Sequence, residues 1–325
     1  MPSAHTVLGP VPGDDLGAVD AHEHLFLRSP ALPGDEFEDL ERMTAEAAAV
    51  RASGIDTVVD LTPVGLGRDP RKLAELCRRT GLRVILATGY HREAHYPAGH
   101  WARRLGADEL LDVVLTDLTQ GVDERDWQGP RPVLSEVRAG IVKLGASYQV
   151  ITDAERRWFA AGAEAAQRTG VPVAVHCEIG TAAHEVLDLL GELGVPARRV
   201  ILAHMDRNPD VELHGQLAER GATLVYDTVG RVKYRPESVL VNLIGRIVDA
   251  GHIDRLMLGT DVGRRSMIRA YGGGPGMDVL GREFLPRLTR RIGEERVAHI
   301  MRTNPARTLV REAVPNSPSR AASRD

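Results

Sequence analysis

Residues 18–27 read AVDAHEHLFL: an apolar run leads into His22, Glu23 and His24, then turns apolar again. This is the signature of a buried strand that ends in two imidazoles. Side chains alternate between the faces of a strand, so His22 and His24 point one way and Glu23 the other. The continuation separates two architectures. An open doubly wound sheet places a glycine-rich turn after its first strand, and none follows Leu25. Seven further apolar runs come later: IDTVVDLTP (55–63), RVILATGY (83–90), AGIVKLGAS (139–147), VPVAVHCE (171–178), VILAHMD (200–206), ATLVYDTVG (222–230) and RLMLGTDVG (255–263). Most are rich in Val, Ile and Leu, as strands covered on both faces should be.

Amphipathic segments lie between these runs, among them 41–53, 70–80, 153–169, 182–194, 209–220, 236–251 and 278–292. Thr303, Asn304 and Pro305 read as the start of a last helix. Gly54, Gly81, Gly170, Gly194 and Gly221 each fall between a helix and the next strand, where a C-terminal cap glycine belongs. Eight alternating strand–helix units predict an α/β chain folded as a single-domain (β/α)8 TIM barrel over residues 1–313. Residues 314–325, ending PNSPSRAASRD, read as a disordered polar tail.

The bulk composition narrows the function. The chain has 325 residues, 43% of them apolar, enough for a large core, and a net charge of -4. No basic stripe alternates with aromatics, which argues against nucleic acid as a partner. No run of about 18 apolar residues suggests a membrane span, and the N-terminus lacks the form of a signal peptide. Cys77 and Cys177 lack the spacing of a disulfide framework, which fits a reducing compartment. A cytoplasmic location is expected. Of the 41 basic residues only Lys72, Lys143 and Lys233 are lysine. Base composition explains such a bias, yet a lysine among arginines invites a chemical reason, because only lysine readily loses its proton.

In such barrels the active site lies at the C-terminal ends of the strands. Read in order, those ends carry His22 and His24, Lys143, His176, His204 and Asp261. Each alone has a plain reading. A histidine ending an apolar strand is more often a hydrogen-bonded core residue than a ligand; Lys143 could reach solvent; Asp261 could sit in a turn. Together they would bury too many polar groups without something to pair them, and buried charges are paired or coordinate metal. Four histidines and an aspartate exceed the three protein ligands of one catalytic zinc. They suit two ions about 3.5–4 Å apart. Such a pair needs an anionic bridge, and lysine supplies one once its amine has added CO2 to form a carbamate, which arginine does not readily make.

HxH on the first strand, lysine on the fourth, histidines on the fifth and sixth, and aspartate on the eighth resemble the phosphotriesterase-like family of the amidohydrolase superfamily, from about Val11 to Leu309. The resemblance implies that His22, His24 and Asp261 hold the more buried metal and His176 and His204 the more exposed one. Carboxylated Lys143 and a hydroxide would bridge them. Zinc suits these ligands, as do manganese, cobalt and iron. The hydroxide would attack a carbonyl or phosphoryl centre, and Asp261 would take its proton and pass it to the leaving group. Asp206, in AHMDRN, reads either as a proton relay or ligand-orienting group behind the site, or as a helix N-cap. Cys177 faces away from His176 by alternation and reads as a buried apolar residue. The resemblance also suggests a homodimer.

The later loops bear on the substrate. GRVKYRP brings Arg231, Lys233, Tyr234 and Arg235 after the seventh strand; DVGRRSMIRAYGGGPGMDVL brings Arg264 and Arg265 after the eighth. This charge suits a phosphate or carboxylate, although a solvated basic loop would look the same. The loops resemble the sugar-phosphate lactonase branch of the family, where a lysine and an arginine at the positions of Lys233 and Arg264 clasp a phosphate. Met267 stands where an aromatic hydroxyl is expected to complete the clasp. Tyr90 and His91 could contact the leaving group or the carbonyl, or the TGYHREAHYP segment could be a lid. The long apolar loops of acyl-homoserine lactonases are missing, and four phenylalanines and three tryptophans are few for an aromatic organophosphate pocket. A lactonase for a phosphorylated sugar lactone or similar anionic ester is the first expectation. A phosphotriesterase, carboxylesterase or N-acyl amide hydrolase on a less charged substrate is the second. A barrel that binds metal and ligand without chemistry is the third.

Overall fold

The computed structural model describes residues 2–314; apart from Val314, the expected tail lies outside them. An antiparallel hairpin opens the chain, β1 (Ser3–Thr6) against β2 (Gly9–Pro12). Eight parallel strands follow: β3 (Val19–Glu23), β4 (Thr57–Asp60), β5 (Arg83–Gly89), β6 (Ile141–Ala146), β7 (Val173–Cys177), β8 (Val200–Ala203), β9 (Thr223–Tyr226) and β10 (Leu256–Leu258). Each bonds to the next in sequence order. β10 returns against β3, and the Asp261 N–H donates to the His22 carbonyl at 2.9 Å. The result is a nearly closed (β/α)8 barrel, and all eight expected runs carry a strand.

The helices are α1 (Leu40–Ala52), α2 (Pro70–Thr80), α3 (Ala107–Thr119), α4 (Asp153–Thr169), α5 (Ala183–Glu192), α6 (Val211–Glu219), α7 (Glu237–Asp249) and α8 (Leu285–Ile292). Local sequence sets their ends. Asp39 and Asp69 accept from the N–H groups of Arg42 and Lys72, and Pro70 occupies the first turn of α2. Thr152 and Glu155 form a capping box on α4. Gly81 and Gly170 end α2 and α4 in the left-handed region, at φ 68° and 71°. The helix α3 was not among the segments singled out in the sequence.

One helix start needs correction. Thr303 does not open a last helix: it has helical φ −67° and ψ −45° and caps nothing. The helical stretch starts at α9 (Glu294–Ala298), passes through a π-turn at His299–Thr303 and continues as α10 (Asn304–Thr308). The π-turn shifts the hydrogen-bond pattern one residue on, so Pro305 is accommodated inside a helix rather than at its start.

The core has two layers. Inside the barrel, Val19, Ala21, Val59, Leu61, Ile85, Ala87, Ile141, Ala174, Ile201, Val225 and Met257 fill the space, as inward branched side chains do in such barrels. Ala4 and Leu16 of the N-terminal segment, with Leu309, join this interior cluster. The larger layer lies between strands and helices and includes Cys177. The first strand is not a simple alternation. Its pairing with β4 shifts register between Asp20 and Glu23. Such a bulge re-aims side chains: Val19 and Ala21 belong to the interior, while His22 and His24 line the mouth.

Candidate active site

The C-terminal mouth of the barrel holds a cavity onto which His22, His24, Lys143, His176, His204 and Asp261 all open. These six side chains come from five strands, β3, β6, β7, β8 and β10, or the residues just past their ends. Two of them, His204 and Asp261, have left-handed backbones at φ 67° and 48°, a conformation that costs energy in non-glycine residues and clusters at functional sites.

The outward atom of each histidine has a partner. His22 Nδ1 and His204 Nδ1 each lie 2.8 Å from the Asp227 carboxylate. His24 Nδ1 is 2.9 Å from Thr62 Oγ1, and His176 Nε2 is 2.6 Å from Glu178. The inward atoms face one another. His22 Nε2 and His24 Nε2 are 3.5 and 3.3 Å from Asp261 Oδ1, and His204 Nε2 is 2.7 Å from His176 Nδ1. Ligand atoms of His22, His204 and Asp261 lie within 4.8 Å of one another. Burial pushes the imidazoles of His22, His176 and His204 well below their usual pKa, and that of His24 to about 4. They are therefore neutral, the form that binds metal.

Lys143 is 1% exposed, and its Nζ has no hydrogen-bond partner among the described residues. Burial lowers its pKa to about 7. An ammonium left alone in such a place would be costly. The donor set fits two divalent ions: neutral imidazoles, one carboxylate, an amine able to become a carbamate, and outer partners that fix each imidazole. Glu23 does not line the cavity and accepts from the Val262 N–H at 2.9 Å.

The other expected residues divide. Lys233 and Arg264 line the cavity. Lys233 Nζ sits 4.8 Å from the Tyr234 ring centre, and Arg264 Nη1 donates to Asp35 at 2.6 Å. Arg265 does not line the cavity; its guanidinium lies over the Tyr271 ring, 5.1 Å away. Tyr90 is also elsewhere. It is fully buried, stacks on Trp158 and donates its hydroxyl to the Leu110 carbonyl at 2.9 Å. Gly89, at φ 102°, breaks the strand alternation just before it, and His91 faces the cavity instead. Asp206 reaches none of the four clustered histidines and caps no helix, a task Asp210 performs for α6. It accepts from the N–H groups of Asp227 and Thr228 and from the Thr228 hydroxyl, so it holds the turn that carries Asp227. Met267 packs against the core rather than lining the cavity.

Four contributors escaped the sequence reading: Asp227, Glu178, Thr62 and Arg207. Asp227 was detectable, since it ends the seventh apolar run as Asp261 follows the eighth. Thr62 has no such signal. Arg207 Nη2 donates to Asp261 Oδ2 at 2.7 Å, and Arg231 Nη1 pairs with the same oxygen. Arg92, Arg207, Arg231, Lys233 and Arg264 thus face a cavity whose acidic lining is Glu178 and Asp261. That excess of positive charge favours an anionic ligand.

Residues 2–309 match the family model described as the phosphotriesterase family. A phospho-furanose lactonase of Mycoplasmopsis synoviae is 31% identical over 323 residues, covering 94% of this chain and 91% of that protein. Among solved structures, a lactonase of Listeria monocytogenes superposes with a TM-score of 0.88 at 26% identity, over 96% of this chain and 100% of that one. The phosphotriesterase homology protein of Escherichia coli, complexed with phosphate in its active site, superposes with a TM-score of 0.81 at 29% identity, over 91% and 99%.

Proposed function

This chain belongs to the phosphotriesterase family, and from that premise we propose that it is a metal-dependent lactonase that opens a phosphorylated sugar lactone or a similar anionic ester. It is a hydrolase of ester bonds. The observation that carries the reading is the buried Lys143 amine, without a partner among the described residues, amid inward-facing ligand atoms. Two divalent ions, zinc or else manganese, cobalt or iron, would be held by His22, His24, carboxylated Lys143, His176, His204 and Asp261; once bound they would supply Lewis acidity that ionises water near neutral pH and polarises the ester carbonyl.

The protein's own groups do the rest. Asp227, Thr62 and Glu178 fix the imidazoles through their outer nitrogens. Asp261 would take the proton released as water attacks. Lys233 and Arg264 would grip the substrate's anionic end, Arg264 aimed by Asp35. The relatives support this: one is named for a phosphorylated furanose, and another holds phosphate in its active site. Met267, where a hydroxyl is expected, favours a second reading in which the ester carries less charge. A homodimer in the cytoplasm belongs to the same proposal.

A panel of phosphorylated and plain lactones, run with metal content measured on the same sample, tests this. Lys233→Ala and Arg264→Ala should raise KM for phosphorylated lactones at least tenfold and leave neutral lactones nearly unchanged. Equal effects on both would reject the anionic substrate.

A further inference from the structure

We propose that Arg207, with Arg231 beside it, is a positioning residue that orients Asp261 as a metal ligand by holding its outer carboxylate oxygen. This rests on the metal reading above. The two oxygens of Asp261 serve different neighbours. Oδ1 faces inward, 3.5 Å from His22 Nε2 and 3.3 Å from His24 Nε2. Oδ2 faces outward, 2.7 Å from Arg207 Nη2 and paired with Arg231 Nη1, which also donates to the Asp261 carbonyl at 2.8 Å. A carboxylate on a short stem can swap its oxygens by rotation. Two guanidiniums on one oxygen oppose that swap.

The arginines are themselves held. The Arg207 side chain is 5% exposed, its guanidinium lies 4.8 Å from the Tyr234 ring centre, and its carbonyl accepts from Arg235 Nη2 at 2.8 Å. Arg231 lies 5.6 Å from the same ring. The role also completes a pattern: each ligand histidine has an outer partner, and the arginines are that partner for Asp261. Arginine suits the task because it stays charged and presents a planar fork.

Metal affinity should shift in the direction opposite to the one simple electrostatics gives. A cation beside a metal site repels the metal, so deleting a bystander charge would tighten metal binding. Deleting a positioning group loosens it, and loss of such outer partners typically costs about 10–100-fold in affinity. The test strips the protein of metal and titrates it with zinc by calorimetry, counting ions by native mass spectrometry. Arg207→Met should lose about 10–100-fold in affinity for one of two ions and keep the other. Arg207→Lys, a single point donor, should fall between. Arg265→Met, which removes an arginine facing away from the cavity, should match the unmodified protein. Should Arg207→Met fail to fold, Tyr234→Leu, which removes only the ring beneath the guanidinium, should weaken the same ion to a smaller degree. An Arg207→Met protein that binds both ions as tightly as the unmodified chain, or more tightly, overturns the inference, as does equal weakening by Arg265→Met. Failure of the unmodified protein to bind any ion would instead overturn the metal reading itself.

Discussion

The Lys143 amine, with a pKa brought down to about 7 by burial, is about half unprotonated at neutral pH. A free amine adds CO2, and an ammonium does not. Protein loaded with metal in 13C-labelled bicarbonate should therefore give a carbamate carbon resonance that Lys143→Arg removes; a spectrum without it in the unmodified protein would remove the bridge. The two cysteines show burial acting the other way. Cys77 and Cys177 are buried, and desolvation pushes both thiols up to about 12. The thiolate is the reactive form, so neither should react with a disulfide reagent at pH 8 until the protein unfolds. Rapid labelling of the folded protein would contradict the burial. At this scale the six clustered side chains were legible, because a polar side chain ending an apolar run stands out. Thr62 and Glu178 were not, because their role is fixed by neighbours distant in sequence or by the direction of one imidazole.

Elements meet at close quarters around β5 and β6. A side chain at Gly89 would put its Cβ 2.2 Å from the Lys143 carbonyl oxygen, on a backbone at φ 102°. Gly89→Ala should cost about 2–4 kcal/mol and lower metal uptake by moving β6; an unchanged denaturation midpoint would show that the strands can yield. Behind them Arg68 ties α3 to the loop beyond it, donating to Asp117 and Asp126 at 2.8 Å each. Arg68→Leu would leave two buried carboxylates, at a cost of about 3–5 kcal/mol. Arg68→Lys should recover only part, since one ammonium cannot reproduce the fork; urea titration measures both. The strands were readable from Val, Ile and Leu content alone. The bulge in β3 and the turn at Gly89 were not, because both are departures from alternation, and alternation was the rule used to read them. Of Tyr90 and His91, both offered by the sequence as substrate contacts, only His91 lines the cavity. The π-turn before α10 hid its true start for a similar reason: Thr-Asn-Pro is a helix-start pattern wherever it lies.

For the whole molecule, no helix among the described residues is long and apolar enough to cross a membrane. Ligands that bind only the folded state add stability by mass action, about 2.7 kcal/mol at a hundredfold excess over Kd. Chelation should therefore lower Tm as well as abolish hydrolysis, and scanning fluorimetry with and without chelator checks it. An unchanged Tm would mean that the ions contribute nothing to the fold. Architecture was legible at this scale because eight repeats of one unit outvote any local error. The N-terminal hairpin was not, since it lies outside the repeat.

The place where β10 meets β3 has a consequence for biosynthesis. His22 leaves the ribosome well before Asp261, which bonds to its carbonyl. The ion proposed to lie between them could not be fully coordinated until β10 has been made. Uptake of such an ion would mark a closed barrel, and a translation product halted before β10 would be a poor competitor for the cell's metal.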